Sequence, residues 1–135
     1  IIQAVKDLDI NLTVMNSPSL DFLSGEGIAP QIINQGQLPD AIFAGNDALA
    51  LGIMNYFHKA GINVPGEISI IGYDNVAYAE SALVPLTTVS QTPYKLGHTM
   101  GEQLLSEFAS NESHIHQHVV FEPRIIERSS AIARK

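Results

Sequence analysis

Two polar pairs in the sequence carry side chains that could bind a small polar ligand. Asn46-Asp47 and Asp74-Asn75 each come directly after a short apolar run. A carboxylate accepts hydrogen bonds from two neighbouring hydroxyls, whereas an amide both donates and accepts them. This combination suits a sugar or a nucleoside better than a phosphate, which would require a Gly-rich loop or arginines. The two pairs therefore indicate a site for a sugar-like or nucleoside-like molecule.

A strand–helix–strand unit must position these pairs. The segment 39–75 contains an apolar run, a helical segment that ends at Gly61, a Pro-Gly break and a second apolar run, which is the length of a βαβ unit. Such a unit crosses over right-handed and leaves its strands parallel, so both carboxyl ends open at one edge of the sheet. Open α/β sheets bind ligands at that edge. We therefore expect Asn46 and Asp74 to contact the ligand.

Asn and Asp also have structural roles that must be weighed against ligand binding. Both residue types are preferred helix N-caps, and both favour turns. We predict that Asp47 caps the helix that begins there, which leaves the amide of Asn46 free for a ligand. A turn would explain Asp74 and Asn75, but it would not explain why two strands of one unit end in polar pairs at the same edge.

Composition limits the class of protein. A chain of 135 residues with 45% hydrophobic content is expected to form one domain with a substantial core. A net charge of −7, with seven Lys and Arg residues scattered along the chain, argues against nucleic-acid binding by these residues themselves. The absence of cysteine fits a cytoplasmic location. No apolar run approaches the roughly 18 residues of a membrane span, so no membrane partner is expected.

Neither a metal site nor a catalytic site is expected. His114, His116 and His118 alternate, and on a strand they would share a face that could hold Zn²⁺. A solvated cluster is the simpler interpretation, because no cysteine or carboxylate completes a ligand set, and we predict no metal. The sequence contains no nucleophile elbow, no HExxH motif and no Gly-rich cofactor loop. We therefore expect no cofactor and a binding module instead of an enzyme.

Alternating helical and apolar β-like segments predict an α/β fold, a Rossmann-like open parallel sheet flanked by helices. The predicted helices are 1–8, 24–36, Asp47–Lys59 and 94–108, and the predicted strands are 12–15, 41–44, 68–73, Thr87–Ser90, 119–121 and 124–127. Gly61 is expected in the left-handed position that ends the second helix. Ile1 opens directly into a helical pattern, which suggests that the sequence is a fragment.

The helix 47–59 carries apolar residues on two faces. One face suffices to cover a sheet, so a second face with Ala48, Leu51 and Met54 predicts burial against another subunit or domain. Ordinary scatter of apolar residues over a surface is the alternative.

Four segments together resemble the effector-binding core of the LacI/GalR family of bacterial transcription regulators. They are PDAIFAGNDALALG, AGINVPGEISIIGYDN, PLTTVSQTPYKLG and FEPRIIERSS, in register over about residues 20–130. The resemblance implies a periplasmic-binding-protein-like type I fold of two Rossmann-like halves with the effector in the cleft. Residues 1–135 would be the carboxyl-terminal half of that core, and residues 87–110 the last segment that crosses to the other half.

The resemblance also implies roles for single residues. Asn46 and Asp74 match positions that hydrogen-bond the effector, and Gln91 matches a pocket or hinge position. Leu20 or Phe22 would supply an apolar wall against the ligand, and the alignment leaves both open. In addition, Leu51 and Met54 match the dimer-forming surface of the family, and Ala48 lies on the same face.

These matches imply an effector-sensing part of a cytoplasmic regulator that forms homodimers. The effector would be sugar-like or nucleoside-like, and operator DNA would be bound through an amino-terminal domain that these residues do not include. The alternative is a periplasmic solute-binding protein of a sugar transporter, which shares the fold.

The long helix 94–108 raises a packing question. Its apolar stripe would pack on the other half in the family, and it consists of Leu96, Met100, Leu104, Leu105 and Phe108. For this chain alone, we expect the helix to dock on the present half, to pair with a second copy or to swap between chains.

Overall fold

One four-stranded sheet organises the chain in a computed structural model that describes residues 2, 3, 5, 8, 10–109 and 118–133. In chain order, the elements are α1 (Phe22–Ile33), β1 (Ala41–Phe43), α2 (Asp47–Lys59), β2 (Ser69–Tyr73), α3 (Ala77–Glu80), β3 (Thr87–Ser90), α4 (Pro93–Ala109) and β4 (Arg124–Ile126). The strand order in the sheet is β1-β2-β3-β4.

The sheet is mixed, with three parallel strands and one antiparallel strand. Ala41 pairs with Ser69 between β1 and β2, and Ile71 pairs with Thr87 between β2 and β3, both in parallel register. The final strand, β4, runs antiparallel to β3. The expected α/β class with parallel strands is therefore confirmed for β1 to β3, and β4 adds an antiparallel edge.

The second helix, α2, has the bounds predicted from the sequence. Gly61 follows its end with a φ of 77°, a conformation that glycine adopts without steric cost. The N–H of Gly61 donates to the carbonyl of His58 at 3.1 Å, and the N–H of Ile62 donates to that of Phe57 at 2.9 Å. This pair of bonds is the Schellman arrangement, which satisfies carbonyls left open by the end of the helix.

The first helix, α1, begins two residues earlier than predicted. Asp21 caps it, since its carboxylate accepts a hydrogen bond from the backbone N–H of Ser24 at 2.7 Å. This bond lowers the pKa of Asp21, with smaller contributions from the side chains of Ser19 and Ser24. The helix continues through Pro30 to Ile33, and Asn34 caps its end.

The helices α1 and α2 pack closely where two glycines face each other. A Cβ at Gly25 would collide with the carbonyl of Leu49, and one at Gly52 would collide with the carbonyl of Phe22. The absence of side chains therefore lets the two backbones approach. The surrounding core joins both helices to the sheet, and it includes Ile28, Ile32, Leu49, Ile53, Phe57, Ile68, Ile70 and Leu86.

An ion pair joins the same two helices at the surface. The ammonium of Lys59 lies 2.7 Å from the carboxylate of Glu26, which also accepts a hydrogen bond from Asn55 at 2.7 Å. The hydrogen bonds from Lys59 and then Asn55 lower the pKa of Glu26.

Two predicted strands are not formed, and the described residues of one predicted helix are not helical. Residues 12–15 and 119–121 are not strands, because no other described strand pairs with them, and Val14 and Val120 are exposed. An isolated apolar segment cannot satisfy its backbone groups as a ladder would. In the predicted helix 1–8, residues 2, 3 and 5 lie in turns and residue 8 in a bend. Residues 1, 4, 6 and 7 lie outside the described part.

The long helix α4 begins at Pro93, as predicted for a proline in the first turn. Its apolar stripe remains exposed, with Met100 at 60% and Leu105 at 70% of full exposure. Of the three alternatives expected for α4, docking on the rest of this chain is therefore wrong, while pairing with a second copy and swapping between chains stay predictions. The reason is that α1, α2 and the sheet already close the core, to which α4 contributes no residue. Among the described residues, no helix is long and apolar enough to cross a membrane.

Candidate functional site

The carboxyl ends of three parallel strands form the edge at which the predicted ligand residues lie. Asn46, Asp74 and Gln91 follow β1, β2 and β3 respectively. The side-chain amide of Gln91 donates a hydrogen bond to the Asp74 carboxylate at 3.0 Å. The backbone N–H of Asp74 donates to the carbonyl of Val89 at 2.9 Å, which extends the ladder beyond the strand. The fold thus brings Asp74 and Gln91 into direct contact, although 17 positions separate them in the sequence.

Asn46, and not Asp47, caps α2. The Asn46 backbone is extended, with φ −156° and ψ 175°, and its Oδ1 accepts a hydrogen bond from the N–H of Leu49 at 2.9 Å. Its Nδ2 donates to the carbonyl of Leu20 at 2.8 Å. The prediction that Asp47 caps the helix was wrong, because the extended residue at the cap is one position earlier. An amide has two donors and two acceptor lone pairs, so Asn46 keeps one of each for a ligand.

Asp47 is fully buried behind the edge of the sheet. One carboxylate oxygen accepts a hydrogen bond from the hydroxyl of Thr88 at 2.5 Å, and the other accepts one from the N–H of Val76 at 2.8 Å. Gly72 leaves room for this carboxylate, since a Cβ there would collide with it. Asp47 therefore ties α2 to β3 and to the loop after β2. The signal in the sequence was the presence of two cap-type residues where one cap suffices.

The loop after β2 adopts an uncommon backbone conformation. Asp74 and Asn75 have φ values of 109° and 54°, in the left-handed half of conformational space. The guanidinium of Arg128 donates to the side-chain oxygen of Asn75 at 2.8 Å. Sequence analysis missed Arg128 as a neighbour of the site. Arg128 belongs to the FEPRIIERSS segment, which carries part of the family resemblance. Membership of that segment does not indicate a contact with Asn75.

The two candidates for an apolar wall lie in different places. The carbonyl of Leu20 accepts the hydrogen bond from the side chain of Asn46. The side chain of Leu20 lies next to Gly45, since a Cβ on that glycine would be 3.1 Å from Leu20 Cδ2. Phe22 is the first residue of α1 and lines a separate cavity with Leu51. The structure therefore brings Leu20, but not Phe22, next to a residue of the strand edge.

The separate cavity measures about 380 Å³ and lies away from the strand edge. None of Asn46, Asp74 and Gln91 lines it. Its lining consists of Phe22, Leu51, Met54, Asn55, His58, Ile62, Asn63, Val64, Tyr78, Ala82, Leu83 and Val84. This is the face of α2 that the sequence associated with self-association.

The residues of this face differ in burial. Met54 is only 7% exposed and belongs to the core, whereas Leu51 and Ala48 are half-buried. The prediction that this whole face is buried against another subunit or domain was therefore wrong for Met54, which belongs to the core of this chain, and Leu51 also packs partly against that core. Leu83 remains 75% exposed at the cavity.

The histidine cluster is only partly described. His118 is exposed, and His114 and His116 lie outside the described residues. Within the described residues, no group of three or more His, Cys, Asp or Glu side chains could hold a metal ion.

Comparisons with known proteins show the family to which this chain is similar. The family model of the periplasmic binding protein-like domain matches residues 3–131. The HTH-type transcriptional repressor PurR of Vibrio atlanticus (strain LGP32) is 42% identical over 104 residues, which cover 76% of this chain and 30% of that protein. The chain therefore spans less than a third of this relative.

Two solved structures share the fold. The LacI family transcriptional regulator from Enterococcus faecium with bound ribose has a TM-score of 0.88 at 27% identity, over 99% of this chain and 50% of that one. The lac repressor dimer bound to operator and the anti-inducer ONPF has a TM-score of 0.73 at 29% identity, over 84% of this chain and 39% of that one. The chain belongs to the periplasmic binding protein-like family, as part of an effector-binding core of the LacI/GalR type.

Proposed function

We propose that this chain is the carboxyl-terminal half of the effector-sensing and dimerisation domain of a bacterial LacI-type transcriptional regulator. The effector is a sugar-like or nucleoside-like molecule that binds at the carboxyl edge of β1, β2 and β3. The full-length regulator acts in the cytoplasm, binds operator DNA through an amino-terminal domain and catalyses no reaction. Support comes from the relatives, which are transcriptional repressors and LacI family regulators. They do not favour the alternative of a transporter's solute-binding protein.

The observation that carries the proposal is the Asp74–Gln91 contact at the strand edge. A carboxylate held by an amide at 3.0 Å presents its remaining lone pairs to a ligand. Asn46 offers a donor and an acceptor at the end of the neighbouring strand. Together with the apolar side chain of Leu20, these groups match the alternating polar and apolar surface of a sugar or nucleoside. The ribose in the Enterococcus faecium regulator is a ligand of this class.

The proposed mechanism rests on the position of Gln91 between the site and α4. Residues 87–110 would cross to the other half of the domain, and the exposed stripe of α4 supplies an apolar surface for that half to cover. An effector bound to Asp74 and Gln91 would then contact the first residues of the segment that crosses to the other half. If it binds one relative orientation of the halves more tightly, it shifts the population towards that orientation and changes the affinity for operator.

Calorimetric titration of the full-length protein with D-ribose, inosine and hypoxanthine tests the site. We expect Asp74→Asn to weaken binding of the responding ligand by about 1.5–3 kcal/mol, because it removes a hydrogen bond to a charged group. Asp40→Asn makes the same chemical change before β1, at the opposite edge, and should leave the affinity unchanged. Equal affinities for wild type, Asp74→Asn and Asn46→Ala would show that the site lies elsewhere.

We also propose that the full-length protein forms homodimers through the α2 face that contains Ala48, Leu51 and Met54. Within this face, Leu51 lines the cavity and Leu83 is exposed beside it. Leu51 and Leu83 would contact the partner, whereas Met54 supports the face from the core. Support comes from the lac repressor, whose structure is that of a dimer.

A further inference from the structure

Asp74, whose carboxylate we propose as the main effector contact, has an uncommon backbone conformation. Asp74 has a φ of 109° and Asn75 a φ of 54°. Asp and Asn adopt positive φ more readily than other residues with side chains, but the value at Asp74 lies outside the usual left-handed helical region. Two such residues in succession persist only when the surrounding structure holds them. The contacts that hold this loop therefore decide where the Asp74 carboxylate points.

Backbone hydrogen bonds fix the loop on both sides of Asn75. The N–H of Asp74 donates to the carbonyl of Val89 at 2.9 Å, and the N–H of Val76 donates to the Asp47 carboxylate at 2.8 Å. Between them, the N–H of Asn75 makes a longer bond of 3.3 Å to the hydroxyl of Thr88. The middle of the loop is thus the point at which the backbone is held least tightly.

Arg128 holds the middle of this loop through a hydrogen bond to the Asn75 side chain. Its Nη2 donates to Asn75 Oδ1 at 2.8 Å, while Nη1 donates to the carbonyl of Leu86 at 2.8 Å. The backbone N–H of Arg128 donates to the hydroxyl of Thr87 at 2.9 Å. The guanidinium is therefore anchored at the start of β3 before it reaches the loop. Its planar fork carries both bonds in a fixed geometry, which a lysine ammonium does not reproduce.

We propose that Arg128 is a positioning residue of the effector site, which holds Asn75 in its left-handed conformation and thereby orients the Asp74 carboxylate. This inference rests on the proposed function of Asp74. Arg128 lies 53 positions from Asn75 in the sequence. The closing segment of the chain would thus set the affinity for effector without touching the ligand.

A double-mutant cycle on Arg128 and Asn75 in the full-length protein tests this inference. Arg128→Lys keeps the charge and loses the two-point geometry, whereas Asn75→Gly loses the acceptor and keeps a residue that tolerates positive φ. Asn75→Asp retains an acceptor for Arg128. The readouts are amide hydrogen exchange in residues 73–77 and calorimetric affinity for D-ribose and inosine, with exchange in α2 as the measure of general destabilisation.

We expect Arg128→Lys to accelerate exchange in residues 73–77 but not in α2. It should weaken binding about five- to tenfold, the factor that corresponds to the net contribution of one ordinary hydrogen bond, because Arg128 acts on the ligand only through the position of Asp74. In the Asn75→Gly background, Arg128→Lys should have no further effect, because its partner is already absent. Asn75→Asp should retain the exchange rates and the affinity of the wild type.

Three results would overturn the inference. They are additive effects of the two substitutions, a uniform acceleration that includes α2, and wild-type exchange in Arg128→Lys. The failure of the proposed function is distinguishable, since it would appear as an unchanged affinity in Asp74→Asn. The exchange cycle does not depend on the ligand, so it decides the role of Arg128 in either case.

Discussion

At the scale of single residues, Asn46 and Asp47 show how position separates two similar side chains. Both can cap a helix, but only Asn46 has the extended backbone of a cap, so its side chain remains at the edge of the sheet. Asp47 is the first residue of the helix and points into the core, where Thr88 and Val76 donate to it. Asn46 thus belongs to the candidate ligand site, whereas Asp47 stabilises the elements that carry this site.

Because buried Asp47 accepts hydrogen bonds from Val76 and Thr88, we expect Asp47→Asn to lower the stability of the folded protein considerably. The amide oxygen can face only one of the two groups that donate to the carboxylate. If it faces the N–H of Val76, the amide NH2 faces the hydroxyl of Thr88, whose proton then has no buried acceptor. The expected cost is about 2–4 kcal/mol, as for unsatisfied buried partners of a charged group. Urea unfolding of the full-length protein measures it through the midpoint.

A matched control is available at the start of α1. Asp21→Asn changes a carboxylate to an amide at an exposed cap, and Asn caps helices as well as Asp does. We therefore expect only a small midpoint change. If the two variants unfold at the same urea concentration, Asp47 does not have the structural role assigned to it.

At the scale of elements, the contact between α1 and α2 depends on two glycines that face each other. Gly25 and Gly52 allow the backbones to approach more closely than any side chain would permit. This approach brings the apolar faces of both helices together over the sheet. It also sets the position of the loop before α1, from which the Leu20 carbonyl reaches Asn46.

Substitution of these glycines should therefore separate the helices. Gly52→Ala brings a methyl group against the carbonyl of Phe22, which is backbone and cannot rotate away. We expect a loss of about 1–3 kcal/mol, typical of an overpacked core. In contrast, Gly27→Ala lies on α1 with nothing within 4 Å of the new methyl. It should be neutral or stabilising by about 0.5–1 kcal/mol. Thermal unfolding compares the two, and a lower melting temperature for Gly27→Ala than for Gly52→Ala would contradict this account.

At the scale of the whole molecule, the described part of the chain leaves two apolar surfaces accessible. One is the stripe of α4, which we assign to contact with the other half of the domain, and the other is the cavity beside α2 with Leu83 at its rim. Large exposed apolar surfaces commonly mark interaction sites. The core that the described residues form is thus closed by this chain itself. We expect the two apolar surfaces to contact the other half of the proposed domain and a second copy of the protein.

The proposed dimer is tested by introducing a charged side chain at Leu83, an exposed residue that lines the cavity. Leu83 is 75% exposed, so Leu83→Glu should change the stability of folding by no more than about 0.5 kcal/mol. Burial of an unpaired carboxylate at an interface is costly, so the variant should sediment as a monomer. Sedimentation velocity of the full-length protein measures this.

Leu23→Glu makes the same change at a residue that is also 75% exposed but does not line the cavity. It should therefore sediment as the wild type does. Dimers of equal strength in both variants would place the interface elsewhere.

The sequence by itself determined the elements that depend on local signals. The strand Thr87–Ser90, the helix Asp47–Lys59 and the turn at Gly61 were predicted correctly. Their signals are β-branched composition, helical apolar periodicity and a glycine after a helix, and each acts over a few residues. The edge that gathers Asn46 and Asp74 was also predictable, because parallel strands in a βαβ unit have their carboxyl ends on one side. Gln91 was assigned to a pocket or hinge position only through the resemblance to the LacI/GalR family.

Only the tertiary structure decided which residues support that edge and which segments become strands. Residues 12–15 have the composition of a strand, but no described strand pairs with them. The antiparallel direction of β4 is likewise seen only in its pairing with β3. The burial of Asp47 and the reach of Arg128 to Asn75 depend on contacts across 41 and 53 positions. Such contacts are set by how elements pack, and a local pattern in the sequence does not contain that information.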